Sequence, residues 1–396
     1  MTQLPAYDFD KAIDRRGTGS LKFDHAVARG KSPDLLSLWV ADMDFAVPRE
    51  VSAALVQRAE HGIFGYTDPD DAYFAAVQGW LQDHHGWHTQ RSWFVVTPGV
   101  VFALAMAVKA YSEPGDAVLI QQPVYYPFTS VIEDNGRRVV NAPLVYDDGR
   151  YEIDWAAFEH AITRNNVKLF LLCNPHNPGG RVWTANELRR LGDICVAHGV
   201  VVVSDEIHQD FARPGHRHVV FADLDERFAQ SSVTCTSAGK TFNLAGLQVS
   251  NIVIPHEGLR AQFKAAVDAA GYSQPNTMGL VATQAAYTYG APWLVALKEY
   301  LEGNWQALKT RLEAEAPELR LVESGSTYLA WIDCRALGLD DEELRCLVED
   351  EAGLWLDLGA IFGPEGSGFI RINIATQRAY LMEAVARLTA AVRARE

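Results

Sequence analysis

Short apolar runs alternate with longer amphipathic segments through the middle of the chain. The runs are rich in Val, Ile and Leu and predict strands at 93–96, 117–120, 167–173, 200–203, 232–236 and 249–254. A nearly all-apolar helix is predicted at 100–111, and Thr184 with Glu187 forms a capping box for a helix that ends at Gly199. Because buried strands that alternate with helices build parallel sheets, we predict an α/β fold whose mostly parallel sheet carries helices on both faces.

The elements predicted before residue 93 are helices, and the pattern changes again after about residue 290. Helices are predicted at 50–61, 71–85, 293–314 and 379–393, and strands at 328–332 and 369–374. With 396 residues, the chain exceeds one ordinary domain. We therefore predict a large domain from residues 46–290 and a smaller, discontinuous α+β domain from residues 1–45 and 291–396.

Composition excludes several classes of function. The charge of -15, from 35 basic and 50 acidic residues, argues against nucleic acid or an anionic membrane as a partner. No apolar run approaches the ~18 residues that span a bilayer. The segment 1–16 carries aspartates and lacks the apolar core of a secretory signal. The five cysteines are scattered and four lie in apolar runs, so we expect a cytoplasmic protein with reduced thiols.

The most distinctive candidate residue is Lys240, which follows the predicted strand at 232–236 in a bend of Ser, Ala and Gly. Apolar residues come directly after it, and an apolar setting lowers the pKa of an amine. A Schiff-base lysine needs this property to act as nucleophile and base. The same pattern fits a loop lysine beside a buried helix, so other residues have to decide between the two.

Other candidates also follow predicted strands, where ligands collect in open α/β folds. Gly99 opens a helix whose free amides, at Val100 and Val101, are suited to a phosphate, although an ordinary tight turn looks the same. Either Tyr125 or Tyr126 could stack on an aromatic ligand, but a tyrosine pair in a loop also packs without one.

Three polar residues lie in or directly after apolar strands. Asn177 occupies a Pro-rich turn, a place that asparagine favours in any case. Asp205 ends an apolar strand and is costly there unless it meets a cation, either a protonated pyridine nitrogen or a structural arginine. Arg371 lies in a nearly apolar strand and needs a carboxylate from the protein or from a substrate.

Together these residues suit one task. A lysine for a Schiff base, an aspartate for a pyridine nitrogen, a phosphate cup and an arginine for an α-carboxylate are what pyridoxal phosphate chemistry on amino acids requires. The sequence therefore predicts pyridoxal 5′-phosphate as the cofactor.

The order and context of these segments resemble the fold-type I pyridoxal phosphate enzymes of the aminotransferase class I/II superfamily. Within it, the segments 39–45 (WVADMDF), 174–178 (NPHNP), 204–208 (SDEIH) and 240–243 (KTFN) resemble the cystathionine β-lyase, or C–S lyase, branch. This is the branch that includes the maltose-regulon modulator, and the resemblance covers essentially the whole chain.

The resemblance implies a role for each candidate residue. Lys240 would bind the cofactor and act in catalysis together with Tyr126, while Arg371 would hold the substrate carboxylate beside Ala41. The other cofactor contacts would be Asp205 at the ring nitrogen, Asn177 and His208 at the phenolic oxygen, Tyr125 on the ring, and Val100, Val101 and Ser237 at the phosphate. Tyr66 would reach the phosphate of a partner subunit, which implies a homodimer with active sites at the interface.

The chain departs from the family pattern at three places. Gly179 stands where the family usually has Thr, and Ala238-Gly239 replaces a more usual Pro-Ser before the lysine. Gln248 lies where many aminotransferases place an arginine on the phosphate. Loss of that charge implies that phosphate binding depends more on Ser237, Tyr66 and the helix that begins at Val100.

No metal site is predicted. The histidines at 84, 85, 88, 216 and 218 are interpreted as solvated loop residues, because no carboxylate or thiol completes a ligand set in the sequence.

The predicted reaction is β-elimination of a thiol from cystathionine or a related sulfur amino acid, which yields pyruvate and ammonia. An aminotransferase of the same fold needs the same residues up to formation of the carbanion, so the choice between the two rests on the resemblance. The alternative of another class is a protein that mainly binds a regulator and has only secondary lyase activity.

Overall fold

The structure is a computed structural model that describes residues 7–395. Its strands are β1 (Leu36–Ser37), β2 (Phe94–Thr97), β3 (Ala117–Ile120), β4 (Arg138–Asn141), β5 (Leu144–Asp147), β6 (Arg150–Ile153), β7 (Leu169–Cys173), β8 (Val201–Asp205), β9 (Ser232–Thr236), β10 (Ser250–Val253), β11 (Arg320–Leu321), β12 (Leu329–Asp333), β13 (Leu354–Trp355), β14 (Asp357–Leu358) and β15 (Phe369–Asn373). Its α-helices are α1 (Arg49–His61), α2 (Asp71–His85), α3 (Val100–Tyr111), α4 (Pro127–Glu133), α5 (Trp155–Asn165), α6 (Ala185–Ala197), α7 (Glu226–Ala229), α8 (Ala238–Thr241), α9 (Glu257–Ala269), α10 (Thr277–Tyr289), α11 (Ala291–Glu315), α12 (Asp341–Arg345) and α13 (Arg378–Arg393).

The central sheet has seven strands in the order β2-β10-β9-β8-β7-β3-β4. The strands from β9 to β4 are parallel to one another, whereas β10 is antiparallel to both of its neighbours. Because β2 therefore points in the same direction as β9, every strand of this sheet except β10 presents its carboxyl end at one edge. The predicted mostly parallel α/β sheet is confirmed.

Helices cover both faces of this sheet. Along β7, Leu169 and Leu171 pack into the core that includes α3 and α9, whereas Phe170 and Leu172 pack into the core that includes α5 and α6. A strand that is buried on both faces consists almost entirely of apolar residues. This explains why the apolar runs located the strands within about two residues of their observed bounds.

The sequence pattern did not predict several elements whose burial is one-sided. The edge strand β4 buries only Val140 among its four residues, and α9 buries only Phe263 and Val267. Such segments carry too few apolar positions to stand out from loops.

A second sheet, antiparallel throughout, has the order β11-β12-β15-β14. The N-terminal segment joins this part of the molecule, because β1 pairs in parallel with β13. One continuous hydrophobic core includes Phe9, Trp293 and Ile372. The division into domains 46–290 and 1–45 with 291–396 stays a prediction, and residues 1–6 of it lie outside the described residues.

A buried cluster of charges fixes the N-terminal segment. Lys22 is fully buried, and its amine donates a hydrogen bond to Asp44 at 2.6 Å. Arg15 donates to the other oxygen of Asp44 at 2.8 Å and to Asp42 at 2.6 Å. Burial raises the pKa of Asp44, but Lys22 and Arg15 outweigh it, and the net shift is downward. The cluster holds residues 42–44 in place, directly beside Ala41.

The interpretation of the five histidines as solvated residues is wrong for two of them. The side chains of His85 and His218 are buried, and each shares a hydrogen bond with a buried carboxylate, Asp210 at 2.9 Å and Glu206 at 2.8 Å. Neither pair follows the spacing of a helix or a strand, because the partners are 125 and 12 residues apart in the chain.

Cys173, Cys195, Cys235 and Cys334 are buried, as the apolar runs predicted. Within residues 7–395, no helix combines the length and the apolar character that a bilayer span requires. The expected cytoplasmic location stays a prediction.

The charge cluster predicts a specific stability effect. Asp44→Asn should lower the free energy of unfolding by about 3–5 kcal/mol, because it leaves the buried Lys22 amine without its partner. The pKa of Asp44 is lowered in the folded chain, so this stabilisation is present at neutral pH. It is lost progressively as the pH falls below about 3.9, the pKa of an aspartate in the unfolded chain. Denaturant unfolding followed by circular dichroism measures both effects.

The matched control is Asp14→Asn, whose ion pair with Arg16 is exposed and should contribute little. Equal losses for the two variants would contradict a structural role of the cluster.

Candidate active site

A cavity of about 380 Å³ opens at the edge of the central sheet where the parallel strands end. Polar side chains, backbone amides and a few apolar groups form its wall. It is lined by Ala41, Pro98, Gly99, Val100, Val101, Phe102, Tyr125, Cys173, Asn177, Asp205, Ile207, His208, Ser237, Gly239, Lys240, Ala245, Gln248, Val249 and Ser250. A cavity of this size suits a cofactor or a small substrate.

One side of the cavity offers donors for an anion. The first backbone hydrogen bond of α3 is donated by Ala103 to Gly99, so the amides of Val100, Val101 and Phe102 have no acceptor within the helix. The hydroxyl of Ser237 donates to the Val249 carbonyl at 2.7 Å. A phosphate would have to replace that acceptor before Ser237 could donate to it.

The departures from the family pattern lie in two places, one of them in the cavity wall. Gln248 lines the cavity, and Lys240 is the only lysine or arginine among the lining residues. At Gly179, an added Cβ would come within 2.9 Å of the Tyr151 ring, so the glycine makes room for this tyrosine.

Asp205 ends β8 with its side chain buried in the cavity wall. One carboxylate oxygen accepts a hydrogen bond from the Ile207 amide at 3.1 Å. Burial raises the pKa of Asp205 to about 7, although the Ile207 amide and the Lys240 charge oppose this rise. Such a carboxylate would be stabilised in its charged form by a cationic ring nitrogen.

Asn177 and His208 bring polar atoms to the same cavity. Asn177 accepts a hydrogen bond from Arg371 through its Oδ1 at 2.9 Å, which leaves its amide NH₂ free to donate. The His208 Nδ1 is buried and has no partner within residues 7–395. Burial, with the charges of Lys240 and Arg371, lowers the pKa of His208 to about 3, so the ring is neutral.

Lys240 lies on α8, directly after β9, and its Nζ donates a hydrogen bond to the Ala41 carbonyl at 2.6 Å. Burial lowers the pKa of Lys240 to about 8, with Asp42 opposing the shift and Arg371 adding to it. A substantial fraction of the amine is therefore neutral close to physiological pH, as nucleophilic attack on an aldehyde requires.

Arg371 comes from the second sheet. It does not line the cavity itself but contacts Asn177, which does. It donates to Asn177, to the Trp39 carbonyl at 3.1 Å and to Asp357 on the adjacent strand β14. Its Nε is buried without a partner within residues 7–395. Burial raises the pKa of Asp357, while Arg371 opposes the rise. A substrate carboxylate would therefore share Arg371 with Asp357.

The segment 39–45 passes over this site, and side chains from β15, from the residues after α8 and from the residue before β12 bind its backbone oxygens. Asn373 donates to the Val40 and Asp42 carbonyls at 2.7 and 2.6 Å. Asn243 donates to the Met43 and Phe45 carbonyls at 2.9 and 3.1 Å. Tyr328 donates to the same Ala41 carbonyl as Lys240, at 3.1 Å.

Most of the residues predicted from the sequence meet at the cavity. These are Ala41, Val100, Val101, Tyr125, Asn177, Asp205, His208, Ser237 and Lys240. Tyr126 does not line it and lies outside, 42% exposed, with its ring 5.2 Å from that of Tyr125. Tyr66 is 96% exposed and lies in a separate surface cleft. The roles predicted for all of these site residues, inside and outside the cavity, stay predictions.

Sequence reasoning missed several residues of this region, among them Ile207, Tyr328 and Asp357. Ile207 lines the cavity and belongs to the SDEIH segment. Its position two residues after Asp205 could have identified it as a residue of the cavity wall. Tyr328 contacts Ala41, which is 287 residues away in the chain. Asp357 contacts Arg371 on the adjacent strand, 14 residues away, and neither contact follows a local pattern.

The donor set fits pyridoxal 5′-phosphate. The site offers free helix amides for a phosphate, a buried carboxylate for a ring nitrogen and a free amide NH₂ for a phenolic oxygen. It also offers a lysine amine of lowered pKa for an aldehyde. The buried His208 Nδ1 lacks a partner among the described residues, as expected at a site shaped for a polar ligand.

Comparison with known proteins agrees with this fit. Residues 33–388 match the sequence profile of the family "Aminotransferase class I and II". The chain is 44% identical to "Cystathionine beta-lyase PatB" of Bacillus subtilis, over 97% of this chain and 100% of the relative. It is 35% identical to "Protein MalY" of Escherichia coli, over 98% and 99% of the two chains. A crystal structure of a PLP-bound C–S lyase from Staphylococcus hominis has a TM-score of 0.92 and 34% identity, and the match covers 98% of each chain.

The lowered pKa of Lys240 predicts how the cofactor attaches. When pyridoxal 5′-phosphate is added to cofactor-free protein, the rate of covalent attachment should rise with pH up to about 8 and then level off, because only the neutral amine reacts. An ordinary lysine would show the rise near 10.4. The visible absorbance of the attached cofactor reports the rate, and borohydride reduction with peptide mapping reports the residue.

Lys264→Arg, on the exposed face of α9, is the control and should attach the cofactor like the parent. Lys240→Arg should carry no label. A label on another lysine in the parent protein would contradict the assignment.

Proposed function

The chain belongs to the aminotransferase class I and II family, and from this premise we propose that it is a pyridoxal-phosphate-dependent C–S β-lyase. It removes a thiol from cystathionine or a related sulfur amino acid and releases pyruvate and ammonia. The observation that carries the proposal is the cavity at the strand ends, where Lys240, Asp205 and Asn177 meet. Relatives that cover nearly the whole chain and bear the names of C–S lyases support elimination over amino transfer.

Each residue of the site binds a different group of the cofactor or the substrate. The amides at the start of α3 hold the phosphate, Asp205 keeps the ring nitrogen protonated, and Asn177 donates to the phenolic oxygen. Arg371 binds the substrate α-carboxylate, and its orientation is set by Asn177 and the Trp39 carbonyl. The bound cofactor supplies an electron sink for negative charge at the substrate Cα.

Lys240 moves the proton that starts the reaction. With the cofactor and the substrate bound, the neutral amine of Lys240 would act as the general base that removes the proton from the substrate Cα. The Cβ–S bond then breaks and the sulfur leaves with the bonding electrons. Tyr126, next to Tyr125 of the cavity wall, is the proposed donor of a proton to the departing sulfur, and it stays a neutral phenol because burial raises its pKa. One water is consumed as the carbon fragment becomes pyruvate and ammonia.

The proposal predicts the products. The purified holoenzyme should release thiol and pyruvate in equal amounts from L-cystathionine with no keto acid added, because elimination needs no amino acceptor. Thiol titration and a coupled lactate dehydrogenase assay measure the two products.

Alanine is the matched control substrate, since it has no leaving group at Cβ and should give no pyruvate without an acceptor. Conversion of amino acids only in the presence of a keto acid, with no thiol released, would contradict the lyase and favour an aminotransferase.

We further propose that the enzyme is a homodimer in which Tyr66 completes the partner's phosphate site. Ile63, Phe64 and Tyr66 form an exposed apolar stretch, which typically marks an interaction surface. Tyr66 lines a surface cleft with Tyr272, and the Tyr272 ring lies 5.6 Å from that of Phe102 in the cavity wall. The anion-binding side of one subunit therefore lies beside the surface that would meet the other.

Hybrid dimers test this arrangement. Lys240→Ala and Tyr66→Ala should each be poorly active alone, the second through weak retention of the cofactor. Mixed and reassociated subunits should regain about a quarter of the parent activity, because half of the dimers are hybrids and one of their two sites has both native residues.

Differently tagged subunits show whether hybrids have formed. Hybrids without recovered activity would contradict the shared site, and so would a fully active Tyr66→Ala variant.

A further inference from the structure

An arginine lies near the carboxylate-binding side of the site without taking part in any ion pair formed among residues 7–395. The Arg29 guanidinium lies over the Trp39 ring, with its central carbon 5.2 Å from the ring centre. The backbone oxygen of the same Trp39 accepts the hydrogen bond from Arg371. Two guanidinium groups, one exposed and one buried, therefore contact the same residue.

The position of Arg29 is structurally defined. Its amide and that of Lys31 both donate to the Ala26 carbonyl, at 2.9 and 3.0 Å, and Lys31 forms an ion pair with Glu349. The Trp39 ring below it stacks on Trp355, with centres 4.8 Å apart and planes at 15°. Arg29 thus rests on a packed aromatic pair, so that less conformational freedom is lost when it binds a ligand.

The charge of Arg29 acts on the outer part of the site. Burial and Asp357 raise the pKa of Tyr126, while Arg371 and Arg29 both oppose this rise. Tyr126 is partly exposed, next to Tyr125 of the cavity wall. Tyr126 therefore lies within reach of the charges of two arginines, the buried Arg371 and the exposed Arg29.

We propose that Arg29 is a specificity residue that binds a carboxylate on the far side of the substrate sulfur. This inference rests on the proposed C–S lyase function and names its substrate class: thioether amino acids whose leaving group carries its own carboxylate. Arg371 would hold the α-carboxylate next to the reacting carbons. The planar guanidinium of Arg29 matches the geometry of a second carboxylate and is free of ion pairs with the described residues.

The chemistry of the reaction is the same for every member of this class. The Cβ–S bond breaks, the sulfur takes the electron pair and a proton, and the departing thiol carries the second carboxylate away. Arg29 contacts only the leaving group, so its contribution is to substrate capture and appears in KM.

Two substrates that differ only in the distal group test the inference. S-(2-carboxyethyl)-L-cysteine carries the second carboxylate, and S-propyl-L-cysteine has a neutral arm of similar length. In Arg29→Gln, kcat/KM for the carboxylated substrate should fall about tenfold, mainly through KM, as expected for a lost hydrogen bond to a charged group. The neutral substrate should stay within about twofold of the parent value.

The chain offers a closely matched control. Arg190 also lies over an indole ring, that of Trp155, at 4.4 Å, and is exposed on α6 away from the cavity. Arg190→Gln should keep the parent's preference between the two substrates, and Arg29→Lys should keep part of it. Because Arg29 is exposed, added salt should reduce the preference of the parent enzyme.

The outcomes separate this inference from the function on which it rests. An unchanged preference in Arg29→Gln, or equal losses for both substrates, would overturn the role of Arg29 while leaving the lyase intact. Release of no thiol from either substrate by the parent enzyme would overturn the proposed function itself.

Discussion

The structure depends on the way in which the backbone of segment 39–45 satisfies its hydrogen bonds. Its carbonyl oxygens accept from side chains rather than from a neighbouring strand, because buried carbonyls need donors. Lys240 and Asn243 come from the region after β9 of the central sheet, whereas Arg371 and Asn373 come from β15 of the second sheet. One segment thus sets the amine and the guanidinium relative to each other, and the buried Lys22–Asp44 pair holds that segment in place.

Burial acts on the charged groups of the site in opposite directions. It raises the pKa of Asp205 to about 7 and lowers the pKa of Lys240 to about 8, so both groups lie close to their titration points at neutral pH. Each can change its protonation at small cost when a ligand supplies a compensating charge. Lys240 is the only lysine or arginine among the lining residues, so helix amides and the proposed partner tyrosine would carry much of the phosphate binding. In its proposed role, Arg29 would add positive charge at the outer side of the site.

The sequence predicted the strands and the residues that end them with good accuracy. A strand such as β7 is buried on both faces, so its composition alone reveals it, and polar residues at its end stand out against the apolar run. Pairs of side chains that meet only in the folded chain were not predictable in this way. Arg371 contacts Asp357, His85 contacts Asp210 and His218 contacts Glu206, and in each pair the neighbours of one partner in the chain do not indicate the other.

By itself, the sequence determined the α/β class, the position of Lys240 after a strand and the set of chemical groups available to a ligand. The class and the position of Lys240 follow from apolar runs and helical periodicity, which are local properties of the chain. The tertiary structure decided how far each group stands from the cavity. It placed Arg371 behind Asn177, Tyr126 outside the cavity wall and Tyr66 on the surface. Those distances depend on strand order and on crossovers between strands, which bring together residues that no local pattern connects.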